Sequence, residues 1–210
     1  MVQKTMARRG ATDLATPTER MSFEEFMSWA SETTHAEWVD GEVVRLSPAS
    51  DPHQDLANFL LALFRHFVEA RGAGWVRSNP FLMRLPSRPS GREPDLVYVA
   101  QQNRARVKRT FLDGPADLVV EIISPESDER DRVTKLAEYE SGGVREYWLL
   151  DRDNERAYFY QLDENGNYQQ AKVGLDGIYH SVAADGLWLR VAWLWNPPRL
   201  VDVLREWKLI

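Results

Sequence analysis

Glu121 lies inside Leu118-Val119-Val120-Glu121-Ile122-Ile123, an apolar run of the kind found in strands covered on both faces. A lone ionised carboxylate there would be costly. Glu121 must therefore be protonated, paired with a nearby arginine, or coordinated to a metal. Asp95 follows Pro94 and opens Leu96-Val97-Tyr98-Val99. Alone, Pro-Asp at a strand start is ordinary turn chemistry. The two together mean more. Adjacent central strands, one starting with Asp and one carrying Glu, can bring two carboxylates to one side of a sheet. A divalent ion that polarises a phosphodiester and activates water needs such a pair.

Lys135 follows on the next helical segment, where Asp131, Lys135 and Tyr139 share one face. Its ammonium has two readings. It reaches a phosphoryl oxygen beside the carboxylates, or it pairs with Asp131 on a wet helix face, where its loss would hardly change stability. Further along, a basic strip from Arg84 to Arg109 holds Arg88, Arg92, Arg104, Arg106 and Lys108, with Glu93 and Asp95 as its acids. Such a strip can meet phosphates or be a solvated loop. Arg92, nearest Asp95, is the base to place against substrate.

The elements that position these residues read as a mixed α/β (α+β) chain. Ser22 and Glu25 form a capping box ahead of Phe23, Phe26 and Met27. Asp40-Gly41 is a two-residue hairpin turn between extended segments at Glu37-Trp38-Val39 and Glu42–Leu46. Asp51-Pro52 reads as an N-cap and first helical position. Behind it, Leu56, Phe59, Leu60, Leu63, Phe64 and Phe67 form a core-facing helical stripe that Gly72 ends. Strand patterns follow at 75–78, 81–85, 95–100 and 117–123. A helix is expected over 128–141, strands at 146–151 and 157–162, and a closing helix near Leu200, Leu204 and Trp207. Residues 1–20 carry no periodicity and read as a flexible tail. Residues 21–210 read as one domain of helices around a mixed central sheet, with an N-terminal helix and hairpin.

Composition narrows the chemistry. The chain has 210 residues, no cysteine and a formal net charge of -6. Thiolate chemistry is excluded, and carboxylate ligands suit hard ions such as Mg or Mn. The net charge disfavours binding nucleic acid by bulk attraction. No segment reads as a membrane span or a signal peptide, so a soluble cytoplasmic protein is expected.

Several strings occur in a specific order: Glu37-Trp38-Val39-Asp40-Gly41-Glu42-Val43, Ser47-Pro48 with His53, Pro94-Asp95, Leu118 to Pro125, Asp131 with Lys135 and Tyr139, and Gly143-Val144-Arg145-Glu146-Tyr147-Trp148. This order resembles the Uma-type restriction endonuclease family of the PD-(D/E)XK nuclease superfamily, from about residue 22 to about residue 200. The resemblance implies a restriction-endonuclease-like sheet flanked by helices, divalent-metal phosphodiester chemistry, and nucleic acid as substrate, DNA rather than RNA. One position departs from the superfamily pattern. Ile123 stands two residues after Glu121, where a lysine is expected. The resemblance suggests that this lysine has moved to Lys135. Asp95 and Glu121 would then hold the metal, and Lys135 would steady charge. Glu37 would bind metal or orient water, or else be a surface carboxylate of the hairpin. His53, Arg92 and Tyr139 would contact substrate, although a capping or packing role fits His53 equally.

The leading function is a metal-dependent endonuclease. A catalytically inactive binding module of the same fold is the alternative, and a small-molecule phosphodiesterase the third. Such nucleases often pair, and Tyr158, Tyr160, Trp188, Trp193 and Trp195 read as exposed aromatics, so a homodimer is expected.

Overall fold

The first helix, α1 (Phe23–Trp29), carries the expected capping box: Ser22 Oγ accepts from the Glu25 amide while Glu25 accepts from the Ser22 amide. The computed structural model describes residues 20–31, 34–86, 88–125 and 127–210. The expected tail thus lies outside the described residues, apart from Arg20, which meets Glu42 at 3.1 Å. Strands β1 (Ala36–Val39) and β2 (Glu42–Arg45) form the hairpin. Its turn residues Asp40 and Gly41 both have positive φ, 49° and 88°, as a two-residue I′ turn requires. The long helix α2 (Asp51–Arg71) is capped by Ser50 rather than Asp51. The hydroxyl at 50 reaches the His53 amide at 3.4 Å, which sets Asp51-Pro52-His53 in the first turn.

The remaining elements are β3 (Gly74–Ser78), β4 (Leu82–Leu85), β5 (Ser90–Arg92), β6 (Leu96–Ala100), β7 (Phe111–Asp113), β8 (Leu118–Ile122), α3 (Leu136–Gly142), β9 (Glu146–Asp151), β10 (Arg156–Leu162), β11 (Tyr168–Gln170), β12 (Ile178–His180), β13 (Trp188–Arg190) and α4 (Leu200–Glu206). The central sheet is six-stranded, in the order β11-β10-β9-β8-β6-β3. It is mixed, as expected: β8 and β9 run parallel and their neighbours antiparallel. A second, five-stranded sheet, β2-β1-β5-β4-β7, recruits the hairpin. Its strands β5 and β7, like β12, are only three residues long, too short for an alternating pattern to be read.

Alternation along the central strands assigns their faces. Leu96, Tyr98, Leu118, Val120, Ile122 and Trp148 pack against α2 and the C-terminal elements. Val97, Val99, Val119 and Leu149 pack with Tyr139 of α3 and with Met83 and Leu85 of β4. Glu121 shares parity with Val119, so it points to this second face, between the central sheet and the layer formed by α3 and the other sheet. The expected helix over 128–141 also differs in one respect. Residues Arg130–Lys135 form a π-helical stretch that passes directly into α3, and such stretches are frequent at functional sites.

Of the aromatic rings expected at the surface, one is buried and the other four are half-buried. Trp193 is buried in the α2-side core, Trp188 and Trp195 pack against that core, and Tyr158 and Tyr160 pack against the other face. Among the described residues, no helix is long and apolar enough to cross a membrane.

Candidate active site

Strand register brings Asp95 and Glu121 together. Leu96 faces Val120 and Val97 faces Val119, so one step further out Asp95 comes level with Glu121. The Asp95 carboxylate is fixed on several sides. Its Oδ2 accepts from the Ile122 amide at 2.7 Å and lies 3.2 Å from His53 Nε2, and its Oδ1 accepts from Asn79 Nδ2 at 3.4 Å. His53 is thus placed by the capped first turn of α2 against Asp95. Burial works against the imidazolium, but the hydrogen bond and charge of Asp95 prevail and raise its pKa above the ordinary value.

Lys135 makes both of the contacts that the sequence leaves as alternatives. Its Nζ lies 2.9 Å from Glu121 Oε1, 3.2 Å from Asp131 Oδ1 and 3.4 Å from Glu37 Oε1. The i, i+4 pair with Asp131 exists, but it is buried, with Lys135 only 3% exposed. Burial disfavours the ammonium, yet the surrounding carboxylates hold it charged. Glu121 is pushed up to about 8, first by burial and then by Asp131, Asp95 and Glu37, with Lys135 opposing. Ile123 keeps the position two residues after Glu121 and lines the same cleft.

Another buried strand carboxylate shows what is unusual here. Glu146 accepts hydrogen bonds from Trp148 Nε1, Tyr179 Oη, Ser181 Oγ and the amides of Val182 and Ala183. Neutral donors satisfy it, and it tethers the C-terminal segment. Glu121 instead faces a cation, a phenol and other carboxylates, an arrangement with an unmet demand for positive charge.

Glu37 lies in the cleft with Asp95 and Glu121, while Arg92 and Tyr139 fall elsewhere than expected. Glu37 is fully buried rather than a surface carboxylate. Its Oε2 accepts from Arg92 Nη1 at 2.7 Å, and its Oε1 accepts from the Glu93 amide at 3.3 Å. Burial alone would raise its pKa, but Lys135 and Arg92 bring it below the usual carboxylate value. Arg92 cannot meet a phosphate. It is 2% exposed, with one nitrogen on Glu37 and two on Glu138 at 2.8 and 2.5 Å. Tyr139 is fully buried behind Glu121 and donates to its Oε1 at 2.6 Å, so it positions that carboxylate rather than touching substrate. The sequence reading missed Asn79, which looked like part of a turn, and Glu138, whose partner comes from a three-residue strand.

These groups open on a cleft of about 420 Å³, whose lining includes Glu37, His53, Asp95, Glu121, Asp131 and Lys135. Among the described residues, no group of three or more His, Asp or Glu side chains is set to hold a metal. Mg commonly takes only one or two protein carboxylates and completes its shell with water and phosphate. The hard oxygen donors of Asp95 and Glu121 fit such an ion, and the crowded carboxylates favour one. His53 Nδ1 is buried without a hydrogen-bond partner, which marks this region as incompletely satisfied.

A family model described as "Uma2: Putative restriction endonuclease" matches residues 23–192. An uncharacterized protein of Synechocystis sp., slr1290, is 24% identical over 184 residues, which cover 84% of this chain and 95% of that one. Among solved structures, the crystal structure of "a putative nuclease belonging to DUF820" from Anabaena variabilis superposes with a TM-score of 0.70 at 14% identity. The superposition covers 84% of this chain and 98% of that one, a likeness of fold.

Proposed function

The chain belongs to the Uma2 family of restriction-endonuclease-like proteins, and from that premise we propose that it is a divalent-metal-dependent endonuclease acting on nucleic acid, preferentially DNA. The observation that carries this reading is Lys135 Nζ, 2.9 Å from the buried Glu121, in a cleft that also holds Asp95. Hydrolysis of a phosphodiester needs an oriented water, relief of charge on the phosphoryl oxygens and a held leaving group. Asp95 and Glu121 are the residues to hold Mg or Mn, which would supply Lewis-acid polarisation and a lowered water pKa. His53, Asn79 and the Ile122 amide aim the Asp95 carboxylate. Tyr139 and Lys135 aim Glu121. The Lys135 ammonium also offers a fixed positive charge where negative charge grows on phosphorus-bound oxygen. Glu37, locked by Arg92, fixes Lys135 from behind.

The direct test is incubation with supercoiled plasmid, single-stranded DNA and RNA in Mg, Mn or chelator. Cleavage of DNA in metal, its absence in chelator, and its loss in Asp95→Asn support the proposal. Cleavage that persists in chelator, or no cleavage in any metal, overturns it.

The raised Glu121 carboxyl gives a second expectation. Its folded pKa, about 8, lies above the ordinary 4.5. Its contribution to stability is therefore fully present below the ordinary value and is lost as pH rises through about 8. A divalent cation competes with that proton. The rise in melting temperature on adding Mn should be larger above pH 8 than near pH 6. An equal rise at both, or none, counts against Glu121 as a ligand.

A further inference from the structure

The basic strip divides once it is folded. Arg84 meets Glu24 at 3.1 Å and Arg92 is buried in the site. The bases of its second half have no carboxylate partner: among the described residues, no ion pair includes Arg104, Arg106, Lys108 or Arg109. The same holds for Arg77 on β3. Surface arginines elsewhere, such as Arg132, Arg190, Arg199 and Arg205, do meet carboxylates.

The unpaired group is also drawn together. The guanidinium carbons of Arg77 and Arg104 lie 4.4 and 5.3 Å from the centre of the Trp75 ring. Indole stacking holds both planar groups in place. Arg65 of α2 adds to them. Burial, and then the charges of Arg65 and Arg104, lower the Arg77 pKa, and of the three only Arg65 meets a carboxylate, Glu69 at 3.1 Å. All three side chains are exposed. In a chain of net charge -6, such a concentration suits an anionic partner.

Its place in the fold says which one. β3 is the edge strand of the central sheet. It pairs with β6 so that Ser78 lies beside Leu96, next to Asp95, and Gly74 lies beside Ala100, which leads to Arg104. Asn79, directly after β3, bonds Asp95. Arg77 on β3 and Arg104 after β6, both stacked on Trp75, therefore stand along the β3 edge beside the cleft. The five residues of β3 span about 17 Å at about 3.4 Å each, roughly the axial rise of five nucleotides at about 3.4 Å per strand step.

We propose that Arg77 and Arg104 form a phosphate-binding track along the β3 edge, with Arg65 beside it, which holds the nucleic-acid backbone flanking the cleft. The proposal rests on the nuclease reading for its substrate, but its test is binding rather than cleavage.

Fluorescence anisotropy with a labelled duplex of about two turns, in chelator and over a range of salt, reads the track directly. Each lost phosphate contact removes about 0.9 from the slope of log K against log salt. The double variant R77Q/R104Q should therefore flatten the slope by about 1.8, with an unchanged melting temperature, and R77K/R104K should restore most of it. A double variant that binds with the wild-type slope overturns the track, whatever the cleavage result. Wild-type protein that binds no duplex overturns it as well. A flattened slope in a protein that cleaves nothing supports the track and sinks the nuclease reading alone.

Discussion

Replacing Lys135 by methionine should abolish most cleavage and also destabilise the fold. The catalytic loss is expected at about 10²-fold or more, the scale of one preorganised electrostatic stabiliser. The stability loss follows from burial. Glu121, Asp131 and Glu37 all lie within 3.4 Å of the ammonium, and removing one partner of a buried ion pair costs about 3–5 kcal/mol. The expectation of little stability change, drawn from an exposed helical pair, is thereby replaced. The sign with pH is also set. Without the ammonium, the carboxylate pKa values rise further, so folding loses more as pH increases through them. Urea denaturation near pH 5.5 and pH 8.5 should show the larger penalty at the higher value, the lower lying beneath the Glu121 value of about 8. A penalty within the range of a surface pair, below about 1 kcal/mol, would show that the buried cluster does not form as described.

Arg92→Met should be comparably destabilising, by about 3–5 kcal/mol, because it strands the buried Glu138 and leaves Glu37 with only Lys135 and the Glu93 amide. Arg92→Lys should rescue little, since a single ammonium cannot reproduce the two-nitrogen contact with Glu138. The double variant R92M/E138M should lose less than the sum of the two single changes, as residues in one network do. Activity should fall because Glu37 no longer holds Lys135 from behind. The salt slope of duplex binding should stay at its wild-type value, because Arg92 never reaches the backbone. A slope reduced by about one contact's worth, about 0.9, would return Arg92 to the substrate side.

Glu138 and Asn79 show where sequence reading stops. Nothing in the residues around Glu138 reveals that its partner comes from Ser90–Arg92, a strand too short to leave a period. Asn79 precedes Pro80, and turn chemistry explains it fully until the register of β3 and β6 brings it to Asp95.

The sequence by itself determined the inventory and the local elements. The apolar run around Glu121, the Asp40-Gly41 turn, the capping box at Ser22 and the apolar stripe of α2 are short-range patterns, and backbone periodicity and steric rules act on neighbours in the chain. It also marked Lys135 as the base to follow, because Ile123 left a gap in the motif. Only the tertiary structure decided what covers each face. The unbroken apolar run says that both faces of β8 are covered, not that a π-helical turn and a second sheet cover the face that carries Glu121. That covering layer turns the Lys135–Asp131 pair from a surface contact into part of a buried cluster. It draws Glu37 and Arg92 inside and sets Tyr139 behind Glu121. It also splits the basic strip between the core and the β3 edge. Charge lists do not distinguish these outcomes, because the effect of a charge depends on its burial and its partners, and both are set by chain segments far apart in sequence.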